Sequence, residues 1–431
     1  MTTLITPQIL KGTRDFFPED MSKRQFVLGK IKEVFARFGY DSIETPAIEY
    51  AETILGKYGD EGSKLTYSFT DQGGRRIALR YDQTVPFARF VAANYRELPM
   101  PFKRYQLGPV WRADRPAKGR YREFYQCDID IIGTKSLVAE TEVAQVMTSV
   151  FTALGFPKFV IRFNSRRLMM SILESFKIPA DQQIAVIRIL DKLQKIGLEQ
   201  VKKELWSLLP GRTVDELLPV MTFSGSNESK IQYLRLKNFD TQEIENFLSL
   251  AEISSIPKGV LELDLGLARG LDYYTGLIFE AFLPDCDIGS VCGGGRYDNL
   301  CALFSKESFS GVGVAFGFDR LLVAAEELGL LKKVALNAQV LVTYFDDECF
   351  PLSAKVATEL RDNGINTELY FEAASLKKQL KYADKKGIPF VVVCGPEEAA
   401  KESVTIKVMK SGKQKMVPFN QVSLYFNGIN V

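Results

Sequence analysis

The residue pattern of this 431-residue chain changes character twice, and this limits the available folds more than any other feature. Strand-like segments dominate up to about Asn164. Residues from there to about Ser255 follow helical spacing, and strand signals return from Val260 to Phe282. A helical block that interrupts one strand-rich region predicts a single sheet domain, formed by residues 1–163 and 256–328, with a helical insertion domain at 164–255.

The C-terminal part of the chain has a different pattern. After a predicted linker at Leu330–Leu336, apolar strands alternate with helices from about Asn337 onward in the order β-α-β-α-β. That order is typical of a small α/β domain, so we predict a separate domain at residues 337–431. Together, the two patterns predict an α+β protein.

Composition excludes several classes of protein. The hydrophobic share of 46% and the charged share of 25% are those of a globular protein. No apolar run is long enough to span a bilayer, and the first residues do not form a signal peptide pattern. Six scattered cysteines form no C-x-x-C pair, which favours reduced thiols in a cytoplasmic protein over a zinc site or a disulfide framework. The chain contains no histidine, which excludes histidine bases and histidine metal ligands.

The net charge is only +2, so any affinity for nucleic acid has to come from local patches. One such patch lies at residues 103–122, where seven basic residues and one acid are interleaved with aromatic residues. This segment suits contacts with phosphates and bases, although a run of charge is more often a solvated face. The next predicted strand, Tyr121–Ile132, carries Gln126, Asp128 and Asp130 at period two, and hence on one face.

Residues 268–276 read A-R-G-L-D-Y-Y-T-G and follow a predicted strand. Arg269 precedes two adjacent tyrosines by four and five positions. An arginine at a strand end can bind a phosphate or carboxylate with two parallel donors, and a tyrosine can orient a small polar ligand. The alternative is an ordinary strand edge with a surface arginine.

Three further segments suit ligand contacts. The glycines of residues 293–298, G-G-G-R-Y-D, allow close approach of the backbone to a ligand, or form a flexible turn. Arg320 lies in the first turn of a predicted helix, where the helix dipole disfavours a cation and attracts an anionic ligand. Asp82 and Thr84 would face one side of an extended segment, or lie in a turn.

Together these segments resemble class II aminoacyl-tRNA synthetases, and among them the histidyl-tRNA synthetase family, over nearly the whole chain. Residues 39–46 resemble the dimer-forming motif 1, residues 111–122 resemble motif 2, and residues 317–321 resemble motif 3. The segments 268–276 and 293–298 resemble the histidine-specific signatures. The resemblance implies a class II synthetase antiparallel-sheet catalytic domain with a helical insertion, followed by a C-terminal α/β anticodon-binding domain.

The resemblance also implies an activity. A cytoplasmic homodimer would use ATP to activate L-histidine to histidyl-adenylate and would transfer the histidyl group to the 3′ end of tRNA(His). Mg²⁺ is expected on the ATP phosphates, and no residue is assigned to it. The histidine carboxylate is already an anion at neutral pH, so it needs no general base, and arginines aimed at the transferring group lower the barrier. An enzyme without histidine residues can therefore run this reaction.

By the same resemblance, particular residues take particular roles. Catalytic contacts with the nucleotide phosphates are implied for Arg112, Arg269 and Arg320. Contacts with the α-amino and carboxylate groups of histidine are implied for Asp82, Gln83, Thr84 and Gln126. Contacts with the imidazole ring are implied for Asp130, Tyr273 and Tyr274. Contacts with tRNA are implied for Arg115, Lys377, Lys381 and Lys385, the lysines having a solvated helix face as the alternative.

The chain departs from many bacterial members of the family at two places. It has R-Y-D-Q-T at residues 80–84 and C-D-I-D at residues 127–130, where those members carry R-P-E-G-T and G-x-E, and this resembles the eukaryote-like branch. Two alternative functions stay open, a non-catalytic paralogue that serves as a regulatory subunit of histidine biosynthesis and a histidine- or RNA-sensing module. Such paralogues typically lack the C-terminal domain and the specific arginines and tyrosines that this chain keeps.

Overall fold

The computed structural model describes residues 4–55, 59–269, 273–331 and 338–427. Residues 270–272 of the tyrosine-containing signature, most of the predicted linker, and residue 337 lie outside the described residues. None of the helices in the described ranges has the length and apolar character that a bilayer crossing requires.

The described residues form two compact units. Residues 4–15 and 25–331 make up the large unit, and residues 16–24 and 338–427 make up the C-terminal unit. The predicted boundaries of the catalytic, insertion and anticodon-binding domains stay predictions.

The centre of the large unit is an eight-stranded sheet in which the five inner pairs are antiparallel and the two edge pairs are parallel. Numbered in chain order and given in spatial order, its strands are β1 (Asp41–Ser42), β5 (Phe102–Trp111), β6 (Glu123–Ile132), β11 (Gly311–Gly317), β10 (Cys292–Tyr297), β9 (Leu277–Phe282), β7 (Val160–Ser165) and β8 (Leu261–Leu263). The predicted antiparallel-sheet domain is confirmed.

A second, three-stranded sheet has the order β2 (Ile48–Tyr50), β4 (Arg76–Leu79) and β3 (Ser68–Thr70). Its β3 and β4 form a hairpin that turns at residues 71–74. The Gly74 amide donates to the Asp71 carbonyl at 3.0 Å, and Gly74 has a left-handed φ of +77°, which glycine adopts without a steric penalty.

Helices connect the strands of the large unit and fill the block between β7 and β8, and α1 spans residues of both units. They are α1 (Pro18–Arg37), α2 (Ala51–Ile54), α3 (Gly59–Leu65), α4 (Thr84–Asn94), α5 (Leu137–Ala153), α6 (Arg166–Ser175), α7 (Ala180–Leu190), α8 (Leu193–Ile196), α9 (Leu198–Trp206), α10 (Gly211–Met221), α11 (Asn227–Leu236), α12 (Gln242–Ile253) and α13 (Phe318–Glu327), with a 3₁₀ turn at Cys301–Leu303. The helices from α6 to α12 agree with the helical spacing of that block.

The glycine triplet at residues 293–295 is not a flexible turn, so the alternative given for this segment was wrong. It lies within β10, between β9 and β11. A Cβ atom on Gly294 would lie 1.9 Å from the carbonyl oxygen of Gly313, so only glycine lets these two backbones approach so closely.

The C-terminal unit confirms the predicted β-α-β-α-β order and extends it by a hairpin. Its elements are β12 (Val340–Val342), α14 (Phe350–Asp362), β13 (Thr367–Leu369), α15 (Leu376–Lys386), β14 (Phe390–Val393), α16 (Pro396–Ala400), β15 (Ser403–Val408), β16 (Gln414–Pro418), a 3₁₀ turn at Phe419–Gln421 and α17 (Val422–Asn427). The strands have the spatial order β13-β12-β14-β15-β16, parallel up to β14 and antiparallel beyond it.

Candidate active site

A cavity of about 620 Å³ lies in the large unit, with part of its lining supplied by β6, β9, β10 and β11. Polar side chains that are distant in sequence meet there. The cavity brings together nine of the predicted site residues, which are Asp82, Thr84, Arg112, Gln126, Asp130, Arg269, Tyr273, Tyr274 and Arg320.

Gln83 is not part of this lining. Its side chain is fully buried, and its Nε2 donates to the carbonyl oxygens of Gly108 at 3.0 Å and Gln126 at 3.4 Å. The side chain therefore connects the start of α4 to β5 and β6, and this placement gives no support to a contact between Gln83 and substrate.

The four residues predicted to contact tRNA lie elsewhere. Arg115 is exposed on the loop between β5 and β6, outside the cavity lining. Lys377, Lys381 and Lys385 are exposed on α15 of the C-terminal unit, and none of them has an ion pair or hydrogen bond with a described residue. These lysines therefore leave three unneutralised positive charges on one helix face.

Arg112 follows the last residue of β5 and is fixed by its surroundings. Its Nε donates to the Tyr81 carbonyl at 3.0 Å, and its guanidinium carbon lies 4.2 Å from the Tyr81 ring centroid and 5.2 Å from that of Phe124. These contacts hold the guanidinium at the cavity wall and leave its terminal nitrogens available to an anion.

Arg320 lies in the first turn of α13, as predicted. Its Nη1 donates to the Ser290 carbonyl at 2.6 Å. Burial lowers the pKa of Arg320, and the positive charges of Arg120 and Arg112 lower it further. Three arginines close enough to repel one another make a site that an anion such as a polyphosphate would stabilise.

Arg269 owes its position to a glycine. A Cβ atom on Gly293 would lie 1.6 Å from Nη1 of Arg269, so only a glycine at this position leaves room for the guanidinium. The same Nη1 donates to the Phe279 carbonyl at 3.1 Å. Arg269 also has a left-handed φ of +46°, a strained conformation for a residue with a side chain, and such strain concentrates at functional sites.

Asp82 lies beside the N-terminus of α4. Its Oδ1 accepts hydrogen bonds from the amides of Thr84 at 3.1 Å and Val85 at 3.0 Å. These bonds fix the first turn of the helix and place both Asp82 and Thr84 at the cavity.

Asp130 is buried on β6 and has two charged or polar neighbours. It forms an ion pair with Nη2 of Arg104 at 2.5 Å and accepts a hydrogen bond from Oη of Tyr297 at 2.6 Å. Burial raises the pKa of Asp130 to about 6, although Arg104 and Tyr297 both act to lower it. Its carboxylate is therefore engaged by the protein itself.

Arg104 is one of the basic residues of the patch predicted at 103–122, and sequence reasoning gave no individual role to Tyr297. Arg104 is fully buried and pairs with Asp130, so it does not contribute to an exposed basic surface. The sequence did indicate that Arg104 is buried. On β5 it lies two residues after the apolar Phe102, so both side chains project to the same, inward face of the sheet. Tyr297 is 167 residues from Asp130 in the chain, and no local pattern indicates that pair.

Tyr273 and Tyr274 both line the cavity, with ring centroids 4.7 Å apart. Burial raises the pKa of the Tyr274 hydroxyl, so it stays a hydrogen-bond donor at neutral pH. The guanidinium carbon of Arg269 lies 5.7 Å from the Tyr274 ring centroid, so the arginine and the tyrosine of the segment 268–276 interact as a cation and an aromatic ring.

Two family models match the chain, one described as histidyl-tRNA synthetase at residues 12–321 and one described as an anticodon-binding domain at residues 339–427. The histidine–tRNA ligase of Phocaeicola vulgatus is 42% identical, over 95% of this chain and 97% of the relative. The histidine–tRNA ligase of Helicobacter pylori J99 is also 42% identical, over 95% of this chain and 96% of the relative. The crystal structure of histidyl-tRNA synthetase from Nostoc sp. PCC 7120 superimposes with a TM-score of 0.85 at 31% identity, covering 99% of this chain and all of that one.

The antiparallel sheet, the arginine-rich cavity and these matches define the catalytic domain of a class II aminoacyl-tRNA synthetase, joined to an anticodon-binding domain. The chain belongs to the histidyl-tRNA synthetase family. The predicted family and fold class are thereby confirmed.

Proposed function

We propose that this chain activates L-histidine with ATP and transfers the histidyl group to the 3′ end of tRNA(His). Membership of the family and relatives named histidine–tRNA ligase support this function. The observation that carries it is the convergence of Arg112, Arg269 and Arg320 on a cavity that also holds two tyrosines and the acids of β6.

In the first step, a carboxylate oxygen of histidine attacks the α-phosphorus of ATP. A bond forms between that oxygen and the phosphorus, the bond to the β-phosphate oxygen breaks, and pyrophosphate leaves. Arg112 and Arg269 would stabilise the charge on the α-phosphate, and Arg320 would bind the phosphate tail. In the second step, the oxygen of a terminal hydroxyl of the tRNA bonds to the histidyl carbonyl carbon, the bond between that carbon and the phosphate oxygen breaks, and AMP leaves as its phosphate takes up the hydroxyl proton.

Magnesium would enter the site with the nucleotide substrate. Among the described residues, no group of three or more Asp, Glu or Cys side chains is arranged to hold a metal ion. We propose that Mg²⁺ arrives on the phosphates of ATP, where it would neutralise charge on the leaving pyrophosphate.

The remaining assignments follow the family. Asp82, Thr84 and Gln126 would bind the α-amino and carboxylate groups of histidine, and Tyr273 and Tyr274 would line the ring pocket. Arg115 would meet the acceptor end of the tRNA, and the lysines of α15 would face its anticodon region. A homodimer formed through the motif 1 segment and a cytoplasmic location complete the proposal.

Histidine-dependent exchange of pyrophosphate into ATP tests the first step, and attachment of histidine to tRNA(His) tests the second. Both reactions are expected, with no exchange when other amino acids replace histidine. Histidine binding without exchange would instead support a sensing module or a regulatory paralogue. No observation on this chain favours either of those alternatives.

A further inference from the structure

A turn near the N-terminus, at residues 10–14, has no role in the assignments above. The Thr13 amide and hydroxyl both donate to the Leu10 carbonyl, at 3.0 and 2.8 Å, and this closes the turn. The turn belongs to the large unit, and its residues are outside the cavity lining. It nevertheless contacts two remote segments that carry arginines of the cavity, which are the loop between β5 and β6 and the first turn of α13.

The contact with the loop is made by backbone groups. The Gly12 carbonyl accepts from the Arg122 amide at 2.8 Å, and the Lys11 carbonyl accepts from Nη1 of Arg122 at 3.2 Å. Gly12 has a left-handed φ of +93°, and a Cβ atom there would lie 2.8 Å from Cγ of Arg122. The Arg122 carbonyl accepts in turn from the Arg112 amide at 2.9 Å, so the turn supports the end of the loop that Arg112 begins.

Arg14 connects this loop to α13. Its guanidinium carbon lies 3.3 Å from the Tyr121 ring centroid, and its Nη2 forms an ion pair with Oδ1 of Asp319 at 2.8 Å. A planar guanidinium can stack on a ring with its face while its edge donates to a carboxylate, which an ammonium group cannot do. Because the Asp319 side chain is only 3% exposed, water screens this ion pair little.

Asp319 transmits the position of Arg14 to the cavity. Its Oδ2 accepts from the Tyr125 amide on β6 at 2.8 Å, and it lies in the first turn of α13 directly before Arg320. The carboxylate therefore fixes this turn relative to the sheet. Nε of Arg320 donates to the Gly119 carbonyl at 3.4 Å, so the loop and the helix meet a second time at the cavity.

The elements that hold the two substrates differ in how they are supported. Strand β6 is paired along its length with β5 on one side and with β11 on the other. The loop at 112–122 and the first turn of α13 lie beyond these strand ladders. Loss of Arg14 should therefore displace Arg112 and Arg320 relative to each other and leave Gln126 of β6 in place.

We propose that Arg14 is a positioning residue for ATP. By bridging Tyr121 and Asp319, it holds the loop and the first turn of α13 at the separation at which Arg112 and Arg320 bind one nucleotide. This role rests on the proposed function, because it takes ATP as the ligand of these arginines. A displacement of about 1 Å can lower a rate about 100-fold, so a residue outside the cavity can control the use of ATP.

Steady-state pyrophosphate exchange with Arg14→Met tests this role, since methionine keeps the apolar stem and removes the ion pair. We expect kcat/KM for ATP to fall by about 10- to 100-fold, while the KM for histidine stays the same. Arg14→Lys keeps a positive charge beside Asp319 and should recover part of the loss. It also provides the comparison if the methionine variant does not fold.

Tryptophan fluorescence gives a readout that does not depend on activity. The chain has two tryptophans, Trp111 and Trp206, so Trp206→Phe leaves one reporter at the end of β5. Nε1 of Trp111 donates to Glu123 at 2.8 Å across the base of the loop. Acrylamide should quench Trp111 more strongly when Arg14→Met is added to this background, because the loop has lost its connection to α13.

Arg89→Met is the matched control. Arg89 pairs with Glu49 at 2.5 Å, and their side chains are 29% and 8% exposed, close to the 24% and 3% of Arg14 and Asp319. Neither Arg89 nor Glu49 lines the cavity. Arg89→Met should lower the midpoint of urea unfolding about as much as Arg14→Met does, with no change in kcat/KM for ATP or in Trp111 quenching.

Two results would overturn the proposal. One is a loss of stability in Arg14→Met without a change in kcat/KM for ATP, which would make the ion pair purely structural. The other is an equal rise in the KM values for ATP and histidine, which would indicate a general distortion of the cavity. Failure of the proposed function is distinguishable, because the wild-type chain would then show no histidine-dependent exchange.

Discussion

The two units of the molecule use charge in opposite ways. The sheet of the large unit buries Arg104, Asp128 and Asp130, whereas the buried polar side chains described at residues 338–427 of the C-terminal unit are all uncharged, and Arg24 is the buried charge described in the remainder of that unit. The strands of the C-terminal unit are packed with valine, isoleucine and leucine, and Lys377, Lys381 and Lys385 are exposed on α15.

This difference corresponds to two kinds of ligand. Buried charges have fixed positions and strong interactions in a low dielectric, which suits the recognition of single atoms of a small substrate. Exposed lysines act over about 8–10 Å and weaken with salt, which suits a large polyanion. Changes to buried charges should therefore have large, specific effects, and changes to exposed charges should have small, salt-dependent effects.

The largest expected effect is on stability, from breaking the buried ion pair of Arg104 and Asp130. Arg104→Met keeps most of the side-chain volume but leaves the Asp130 carboxylate uncompensated, which typically costs about 3–5 kcal/mol. Urea unfolding would measure the loss in free energy of unfolding. Arg75→Met, which breaks an exposed pair with Asp71, should leave the midpoint unchanged. If Arg104→Met and Arg75→Met unfold at the same urea concentration, the buried ion pair stabilises the protein no more than the exposed one.

Arg269→Ala should reduce histidine-dependent pyrophosphate exchange by at least about 100-fold, because one transition-state charge contact contributes about 3 kcal/mol. Arg212→Ala is the control, since that side chain is 90% exposed and pairs with Glu216 on α10. Arg112→Ala should behave like Arg269→Ala. Near-normal exchange in either cavity variant would show that its arginine does not contact the reacting phosphate.

Tyr274→Phe removes one hydroxyl from the cavity and keeps the ring. The KM for histidine should rise about tenfold, in line with the loss of one hydrogen bond of about 1.4 kcal/mol, while the KM for ATP stays the same. Steady-state exchange at varied histidine and ATP concentrations provides both constants. A parallel rise in the two values would place the hydroxyl outside the ring pocket.

Arg115→Ala should lower aminoacylation by roughly tenfold and leave pyrophosphate exchange unchanged, because an exposed arginine can pair with a guanine edge of the tRNA. Arg120→Ala is the variant to compare with Arg115→Ala. Arg120 lines the cavity and pairs with Asp114, so its removal should lower both activities. If Arg115→Ala impairs exchange as strongly as aminoacylation, Arg115 belongs to the nucleotide site.

The smallest effect is expected on α15. Residues 377–415 contain ten lysines against four acids. Replacement of Lys377, Lys381 and Lys385 by glutamate should weaken tRNA binding about fivefold near physiological salt and reduce the slope of log K against log salt by up to about 3. The same change at the exposed Lys401, Lys410 and Lys413 alters the net charge equally. If both triple variants lose affinity alike, α15 is a solvated face and not a contact surface.

Much of the fold could be predicted because its signals are local. Proline and two acids mark the start of α1, glycines mark the turn between β3 and β4, and apolar runs at residues 340–345 and 390–394 mark the central strands β12 and β14 of the C-terminal unit. The triplet in β10 could not be predicted in this way. A glycine run usually indicates a turn, and here the strand depends on contacts with Gly313 and Arg269 that are remote in sequence.

The sequence by itself determined the order of elements, the family, and nine of the residues that line the cavity, because motif spacing and strand alternation are properties of the local chain. Only the tertiary structure decided which of these residues are already engaged. Gln83 donates to Gly108, Asp130 pairs with Arg104 and accepts from Tyr297, and neither oxygen of Asp128 has a hydrogen-bond partner in the part of the chain that the structure describes. Asp128 and Asp130 share one strand face and one residue type, and they differ in the partners that strand pairing and packing bring from elsewhere in the chain.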